Sequence, residues 1–260
     1  YAERNLFNII RNIGVTFALK GMYRRYGCSK KLWDAGRMLA NSQNRVFSFD
    51  CAKQILSLNK VIDSLGGHDI TRPFSSAGIN DVCVIGDGYG YLGSLIKLVD
   101  PFVRITSVNL GRGLFFDAYY TSLSFPKLEL KLYGDENLDT NDFIFLPAED
   151  YEQLRNMKHD IVFNIASMQE MNLKVIRNYM DFIRNGVEGS LFFYCCNRTE
   201  KVLPDGEVIR FKDYGWCDDD DIFFDEPCPW YQAYPSGIIP RWLPFDGEIK
   251  HRLSALKSKE

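Results

Sequence analysis

The stretch Val84-Ile85-Gly86-Asp87-Gly88-Tyr89-Gly90-Tyr91-Leu92-Gly93 decides the fold class of this chain. The preceding residues 81–83 extend Val84-Ile85 into a short apolar run, which is typical of a strand buried on both faces. Apolar residues then recur at helical spacing from Leu92 to Leu98. Glycines are needed where a strand turns sharply into a helix and a ligand approaches the backbone closely. The stretch therefore predicts a strand, a ligand-binding turn and a helix.

Further apolar segments follow in an alternating pattern. Strands are predicted at residues 103–108, 143–146, 161–165 and 190–194, and residues 173–183 have helical spacing. Strands that alternate with helices predict an α/β fold, in which helices cover both faces of a mostly parallel sheet. In such a sheet the ligand lies at the carboxyl ends of the strands, where the strand order reverses.

The two ends of the chain have a different pattern. Residues 1–75 are predicted to form an N-terminal helical cap or arm, ahead of a domain at residues 76–260. Helices that only pack on the sheet would explain the same spacing. Beyond residue 198 the pattern is irregular, with a hairpin predicted at residues 203–208 and an ordered, non-helical wall at residues 227–245.

The composition limits the class of partner. The 260 residues carry a formal net charge of −3, so the molecule as a whole does not attract nucleic acid or acidic lipid. No run of 18 apolar residues is present, and neither a membrane span nor a signal peptide is expected. The 7 cysteines form no CxxC pair and are expected to be reduced thiols, which favours a cytoplasmic protein over a disulfide framework or a zinc site.

Two classes of cofactor fit the glycines. The G-x-G-x-G spacing that starts at Gly86 suits the carboxylate of S-adenosylmethionine, whereas the G-x-G-x-x-G spacing that starts at Gly88 suits the pyrophosphate of a dinucleotide. Both classes usually place an acid at the end of the second strand, where it binds ribose hydroxyls. This chain has Asn109 there, followed by Arg112, and that pair also suits a 2′-phosphate. Spacing alone does not choose between the two.

Five further blocks make the chain resemble a family, the sugar O-methyltransferases that use S-adenosylmethionine. The blocks are Phe145-Leu146-Pro147-Ala148-Glu149-Asp150, Asn164-Ile165-Ala166-Ser167-Met168-Gln169-Glu170-Met171, Phe193-Tyr194-Cys195-Cys196-Asn197-Arg198, Leu203-Pro204-Asp205-Gly206 and Pro235-Ser236-Gly237-Ile238-Ile239-Pro240-Arg241-Trp242. The resemblance covers about residues 80–253. It implies a Rossmann-like class I methyltransferase with a mostly parallel seven-stranded sheet and an added antiparallel strand at one edge. It also implies S-adenosylmethionine as cofactor and methyl transfer to a hydroxyl of a sugar or glycosylated metabolite.

The candidate cofactor site follows from the turn and from the strand ends. Pro147 to Glu149 are expected to flank an adenine, and Asn164 to Ser167 to lie beneath the methionine part, although small residues also simply pack. The residues expected to bind the cofactor are Gly86, Asp87, Gly88, Gly90, Asn109, Pro147, Ala148, Glu149, Asn164, Ala166 and Ser167.

Methyl transfer to a hydroxyl usually needs a general base, because a hydroxyl is a poor nucleophile. Glu170 follows the fourth strand and is the first candidate, although a carboxylate at the start of a helix also stabilises the helix dipole. His251 is the second candidate, but its place near the C-terminus predicts a surface residue. His159 is expected to be structural, and His68 lies where the cap connects to the domain.

The acceptor is predicted to be a small saccharide, held by arginines and by aromatic rings that stack on its C–H faces. A compact aromatic core explains the same rings. The residues expected to bind the acceptor are Arg198, Trp230, Tyr231, Arg241 and Trp242. No metal is predicted, because the four adjacent aspartates at residues 218–221 cannot all face one ion and such runs are usually solvated.

Two other functions stay open. An NADP-dependent oxidoreductase fits the same turn, but no Tyr-x-x-x-Lys pair for a hydride site is present. A catalytically silent binding or scaffold domain is favoured by two departures from the methyltransferase pattern, because Val84 and Asn109 both stand where methyltransferases commonly have acids. The N-terminal helices suit either closure over the acceptor or formation of a homo-oligomer.

Overall fold

A computed structural model describes residues 6–67, 71–134, 142–185, 190–236 and 241–257. The helical prediction for the N-terminal region is confirmed. Within the described residues 6–67, three α-helices precede the sheet, namely α1 (Leu6–Tyr26), α2 (Lys30–Ser42) and α3 (Phe49–Ser64). Each of the last two begins at a serine whose hydroxyl accepts a hydrogen bond from a helix amide, Ser29 from Leu32 and Ser48 from Cys51. His68 lies outside the described residues.

The rest of the chain alternates strands and helices, as predicted. In chain order the elements are β1 (Asp81–Ile85), α4 (Tyr91–Val99), β2 (Arg104–Asn109), α5 (Gly111–Ser124), β3 (Leu130–Leu132), β4 (Phe143–Pro147), β5 (Ile161–Ile165), α6 (Leu173–Asn185), β6 (Ser190–Arg198), β7 (Glu200–Val202), β8 (Val208–Arg210), β9 (Asp221–Pro227), β10 (Ala233–Ser236), β11 (Arg241–Pro244) and β12 (Ile249–Lys257).

The main sheet confirms the α/β class, with two corrections. Its strand order is β3-β4-β2-β1-β5-β6-β12-β9, so it has 8 strands and not seven. The eighth strand is β3, which pairs in parallel with β4 at one edge. The antiparallel strand is β12, which lies one place inside the other edge, between β6 and β9. The strand order reverses between β1 and β5, and such a switch point is where open α/β sheets bind ligands.

Two apolar cores cover the two faces of this sheet. Side chains alternate along each strand, so Val82 and Val84 face one core while Cys83 and Ile85 face the other. Helices α2, α3 and α4 contribute to the first core, whereas α6 and the segment after β8 cover the second. The described N-terminal helices thus pack on the same face as α4. A domain boundary at residue 75 stays a prediction.

The C-terminal third is more regular than its sequence pattern predicted. Strands β9 and β12 extend the main sheet, and the predicted irregularity is wrong there. Buried polar residues hid the strand β12 in the sequence pattern. Arg252 and Ser254 are buried on β12 and hydrogen-bond to each other, and Arg252 also pairs with Asp220, which lies far from it in the sequence. The predicted hairpin is present as β7 and β8. In the predicted wall at residues 227–245, the described residues 227–236 and 241–245 are non-helical apart from one 3-10 turn at Pro229–Tyr231, and they include the β10–β11 pair. Residues 237–240 lie outside the described residues.

The 7 cysteines are all free, and 6 of them are buried. Across the parts of the chain that the structure describes, no helix has both the length and the apolar character to cross a bilayer.

Candidate functional site

The glycine turn lies at the switch point, directly after β1. Gly86, Gly88 and Gly90 have φ angles of +76°, +71° and +68°, in the left-handed region that favours glycine. A Cβ at Gly86 would collide with Ser167, and one at Gly90 would collide with Asp117. A Cβ at Gly88 would meet no heavy atom within 4 Å. Packing therefore explains the outer two glycines, whereas Gly88 faces open space that a ligand can occupy.

Asp87 caps the helix that follows the turn. Its carboxylate accepts hydrogen bonds from the amides of Leu92, at 2.8 Å, and Gly93, at 2.7 Å. Amides at the start of a helix are the usual partners of an anionic ligand group. A side chain of the turn takes them instead, as a capping residue does at many helix N-termini.

A second buried carboxyl lies behind the turn. Asp117 on α5 accepts a hydrogen bond from the Ser107 hydroxyl through Oδ2, while its Oδ1 is buried without a hydrogen-bond partner among the described residues. Burial raises the pKa of Asp117 well above its usual range, and the nearby Asp87 carboxyl raises it further. Burial also raises the pKa of Asp87. Because this pair already holds its negative charge poorly, a further anion beside it is disfavoured.

The ends of β2 and β4 lie beside the turn. Asn109 pairs in register with Pro147, and the Gly86 amide donates to the Val108 carbonyl, so the three strand ends form one row. The Asn109 amide donates to the Gly88 carbonyl at 3.2 Å and accepts from the Leu110 amide. The 3-10 segment Ala148–Asn156 begins directly after β4, with Ala148 half-buried and Glu149 exposed. Asn109 thus contacts Gly88, and Pro147 lies beside Asn109 on the neighbouring strand.

The end of β5 supports the turn from the other side. Asn164 is fully buried and donates to the Ile85 carbonyl, and the Ser167 hydroxyl donates to the same carbonyl at 3.0 Å. Ala166 has a φ of +58°, which is uncommon for a residue other than glycine and often marks a functional site. These residues hold the start of the turn in place.

Two side chains that the sequence did not single out extend this support. Asn197 donates to the Asn164 side chain at 2.8 Å and accepts from the Gln169 amide, which ties the ends of β5 and β6 together. Arg45, from the loop between α2 and α3, lies 5.1 Å from the ring centroid of Tyr89 and 5.0 Å from that of Tyr120. Its Nη1 is buried without a hydrogen-bond partner among the described residues. No periodicity or motif marks such a loop residue.

Glu170 lies at the carboxyl edge of the sheet, in the 3-10 turn Met168–Glu170. Its side chain is 53% exposed, and Oε1 forms an ion pair with Lys201 of β7. Gln169 donates to the same oxygen at 3.3 Å. The carboxylate is therefore held in place and accessible, and its role as a base stays a prediction.

His251 is buried in the core, so the expected surface position is wrong. It lies on β12 opposite Cys196, and its Nδ1 lies 3.3 Å from the Tyr194 hydroxyl. Burial lowers the pKa of the imidazole to about 4, although the nearby Glu226 carboxylate opposes this shift. At about 4.8 Å per strand, His251 lies roughly 14 Å from the glycine turn, because β5 and β6 separate β12 from β1. A base here would act on an acceptor far from Gly88.

The predicted acceptor residues do not form one group. Trp230 and Trp242 line a cavity of about 680 Å³ between α1 and the β10–β11 pair. Trp230 is buried and donates to the Ser57 hydroxyl, while Trp242 is 45% exposed. Three other residues were expected to bind the acceptor. Tyr231 is buried under Lys53, Arg198 donates to the Asp246 carbonyl, and Arg241 is exposed on β11.

The aspartate run is only partly solvated. Asp218, Asp219 and Asp221 are exposed, but Asp220 is buried and binds Arg184 with both oxygens, at 2.6 and 2.7 Å. Ligand atoms of Cys217, Asp219 and Asp220 lie within 4.8 Å of one another. Because the arginine already neutralises Asp220, this group is a poor cation site, and the absence of a metal stays a prediction.

Comparison with known proteins identifies the fold only. No family model matches the chain, and no curated protein matches it. Among solved structures, the precorrin-6y C5,15-methyltransferase of Geobacter metallireducens shares 13% identity over 77% of this chain and 88% of its own, with a TM-score of 0.43. A mitomycin 7-O-methyltransferase shares 10% identity over 92% and 72%, with a TM-score of 0.44. At these values the likeness carries no argument about substrate or mechanism.

Proposed function

We propose that this chain is an S-adenosylmethionine-dependent O-methyltransferase that acts on a hydroxyl of a sugar or glycosylated metabolite. The proposal places the cofactor at the glycine turn, in the open space above Gly88. The antiparallel strand that the family resemblance implies is present as β12, although one place further inside the sheet. Asn109, which contacts Gly88, and Pro147 and Ala148 after β4 would flank the ribose and adenine.

The Asp87 cap is the observation that carries the choice of cofactor. A dinucleotide places its pyrophosphate on the free amides at the start of the helix. Here the Asp87 carboxylate takes the amides of Leu92 and Gly93, and Asp117 lies behind it. A pyrophosphate would face two carboxyl groups at a helix start where two of the amides are already bound. S-adenosylmethionine carries a sulfonium and an ammonium group against one carboxylate, so the same carboxyl groups do not repel it.

When bound, the sulfonium supplies the electrophile, and the chain has to position the acceptor and remove a proton. We assign proton removal to Glu170, whose accessible carboxylate lies at the carboxyl edge of the sheet. Lys201 and Gln169 both contact Oε1, which leaves Oε2 as the oxygen that would accept the proton. Positioning and general base catalysis are the two contributions that such a transfer needs.

The sugar acceptor is supported by the family resemblance. The cavity of about 680 Å³ beside Trp230 and Trp242 does not add to this support, because Trp230 packs against His251, which lies on β12, three strands away from β1 and the glycine turn.

Calorimetric titration tests the cofactor. The purified chain is titrated with S-adenosylhomocysteine and, in parallel, with NADP. We expect saturable binding of S-adenosylhomocysteine alone. Binding of NADP alone would overturn the proposal, and no binding of either compound would favour a silent scaffold.

The acceptor is tested separately, with S-adenosylmethionine labelled on its methyl group. We expect label to enter sugars or glycosides from a mixed panel of hydroxyl compounds. Label that enters only phenols or amines would refute the sugar and leave the cofactor assignment in place.

A further inference from the structure

A second cavity, of about 550 Å³, lies on the sheet face that α6 covers, away from α4 and the glycine turn. The carboxyl end of β6, the start of β12 and the segment after β8 form its walls. Four of its lining side chains are basic, namely Arg210, Lys212, Lys250 and Arg252. Three are acidic, namely Glu200, Asp218 and Asp225. The lining therefore has an excess of one positive charge.

Arg252 is the buried cation of this wall. Its side chain is 8% exposed, and its guanidinium lies 4.3 Å from the ring centroid of Trp216. Its Nε donates to the Ser254 hydroxyl at 2.7 Å. Its Nη2 is buried and has no hydrogen-bond partner among the described residues. A buried guanidinium with an unused donor is costly unless a partner is supplied.

One carboxylate beside Arg252 already has a partner. Asp220 lies 3.7 Å from Arg252, but both of its oxygens are bound by Arg184, whose side chain is fully buried. Two guanidinium groups therefore share one carboxylate.

The other acids of the cavity are also engaged or exposed. Lys250 lies 2.9 Å from Asp225, and Arg210 lies 2.7 Å from Glu200. Asp218 is exposed to solvent, as is Lys212. Asp225 also lies opposite Arg252 in the β9–β12 pairing, but it is shared with Lys250, so Arg252 has no carboxylate to itself.

We propose that this cavity binds the phosphate group of a small molecule, with Arg252 and Lys212 as its main cationic contacts. Guanidinium groups bind phosphate oxygens with strong, charge-assisted hydrogen bonds, and a partly buried site weakens screening by salt. The site lies apart from the glycine turn, so the proposal does not rest on methyl transfer.

Titration calorimetry at low ionic strength, with inorganic phosphate, glucose 1-phosphate and glucuronate, tests the proposal. We expect saturable binding of the two phosphates, with glucuronate weaker. Arg252→Met should weaken phosphate binding about tenfold or more, because it removes a charge-assisted contact. Lys212→Ala should weaken it by a smaller factor. The control Lys127→Ala removes an equal charge from an exposed position that does not line the cavity, and it should leave binding unchanged.

Three results would overturn the proposal. The first is that neither phosphate compound binds saturably. The second is that Lys127→Ala and Lys212→Ala weaken phosphate binding equally. The third is that glucuronate binds more tightly than glucose 1-phosphate. Should Arg252→Met fail to fold by circular dichroism, Asp218→Asn replaces it. Asp218 is exposed, and its replacement removes a negative charge from the cavity, so phosphate should bind more tightly. An unchanged affinity for phosphate would count against the site.

Discussion

Replacing Gly88 by alanine separates a ligand-binding glycine from a merely conformational one. Gly88 and Gly66 have the same φ of +71°, and a Cβ at either position meets no heavy atom within 4 Å. Gly66 follows Leu65, the C-cap residue of α3, and lies outside the glycine turn. Gly88→Ala and Gly66→Ala should therefore have the same conformational cost, and only the first should obstruct a ligand.

The magnitudes follow from the backbone geometry. An L-residue in the left-handed region costs about 1–2 kcal/mol, which lowers the melting temperature of a chain of this size by about 2–8 °C. Both variants should show this loss in thermal unfolding. A methyl group at Gly88 also fills the space where the cofactor would contact the backbone, so S-adenosylhomocysteine should bind at least about tenfold more weakly, or about 1.4 kcal/mol.

Calorimetry on the two variants gives the decisive comparison. Gly66→Ala should retain the affinity of the unmodified chain for S-adenosylhomocysteine, while Gly88→Ala should lose it. If Gly88→Ala binds the compound as tightly as Gly66→Ala does, the cofactor does not lie on the turn. The open space above Gly88 would then not be the cofactor site.

Three further predictions concern the base, the pH dependence and a buried ion pair. Glu170→Gln should lower kcat about 100-fold or more and leave S-adenosylhomocysteine affinity unchanged, whereas an unchanged kcat would exclude Glu170 as the base. Burial lowers the pKa of His159 from 6.5 to about 4. The stability that depends on a neutral imidazole is therefore fully present above pH 6.5, and about 3 kcal/mol of the free energy of unfolding is lost as the pH falls to 4. His159→Leu should reduce that loss when the free energy of unfolding in urea is measured across this pH range. An unchanged pH dependence would show that His159 does not cause the loss. Asp220→Asn should destabilise the fold by about 3–5 kcal/mol because it leaves Arg184 buried without its partner, whereas the exposed Asp221→Asn should change stability by less than about 0.5 kcal/mol.

Two positions depart from the methyltransferase pattern, and neither offers an acidic side chain to the cofactor. Val84 is buried in the apolar core, so its side chain offers no polar group to a ligand. Asn109 does offer one, but both ends of its amide already bind the backbone, at Gly88 and Leu110. If the chain binds S-adenosylmethionine, it does so through backbone geometry around Gly88 more than through acidic side chains. Cofactor affinity is therefore expected to be sensitive to substitutions at Gly88.

Local sequence was sufficient for the central part of the sheet. The predicted bounds of β1 and β5 match the structure, because both are short apolar runs ended by turn residues. The glycine turn was also predictable, since Gly86, Gly88 and Gly90 fall where a strand must turn sharply into a helix. Apolar periodicity and turn chemistry act over a few residues, so they are legible in the sequence.

The partners of the polar groups were decided only by the tertiary structure. Asp87 was expected to face a ligand, but its carboxylate binds Leu92 and Gly93 once the helix forms. His251 was expected at the surface and is buried, because β6 and β9 pair with β12 on either side of it. The sequence by itself thus determined the α/β class and the position of the turn. Which charges are neutralised, and which are left for a ligand, depends on contacts between residues far apart in the chain, and local patterns do not encode those contacts.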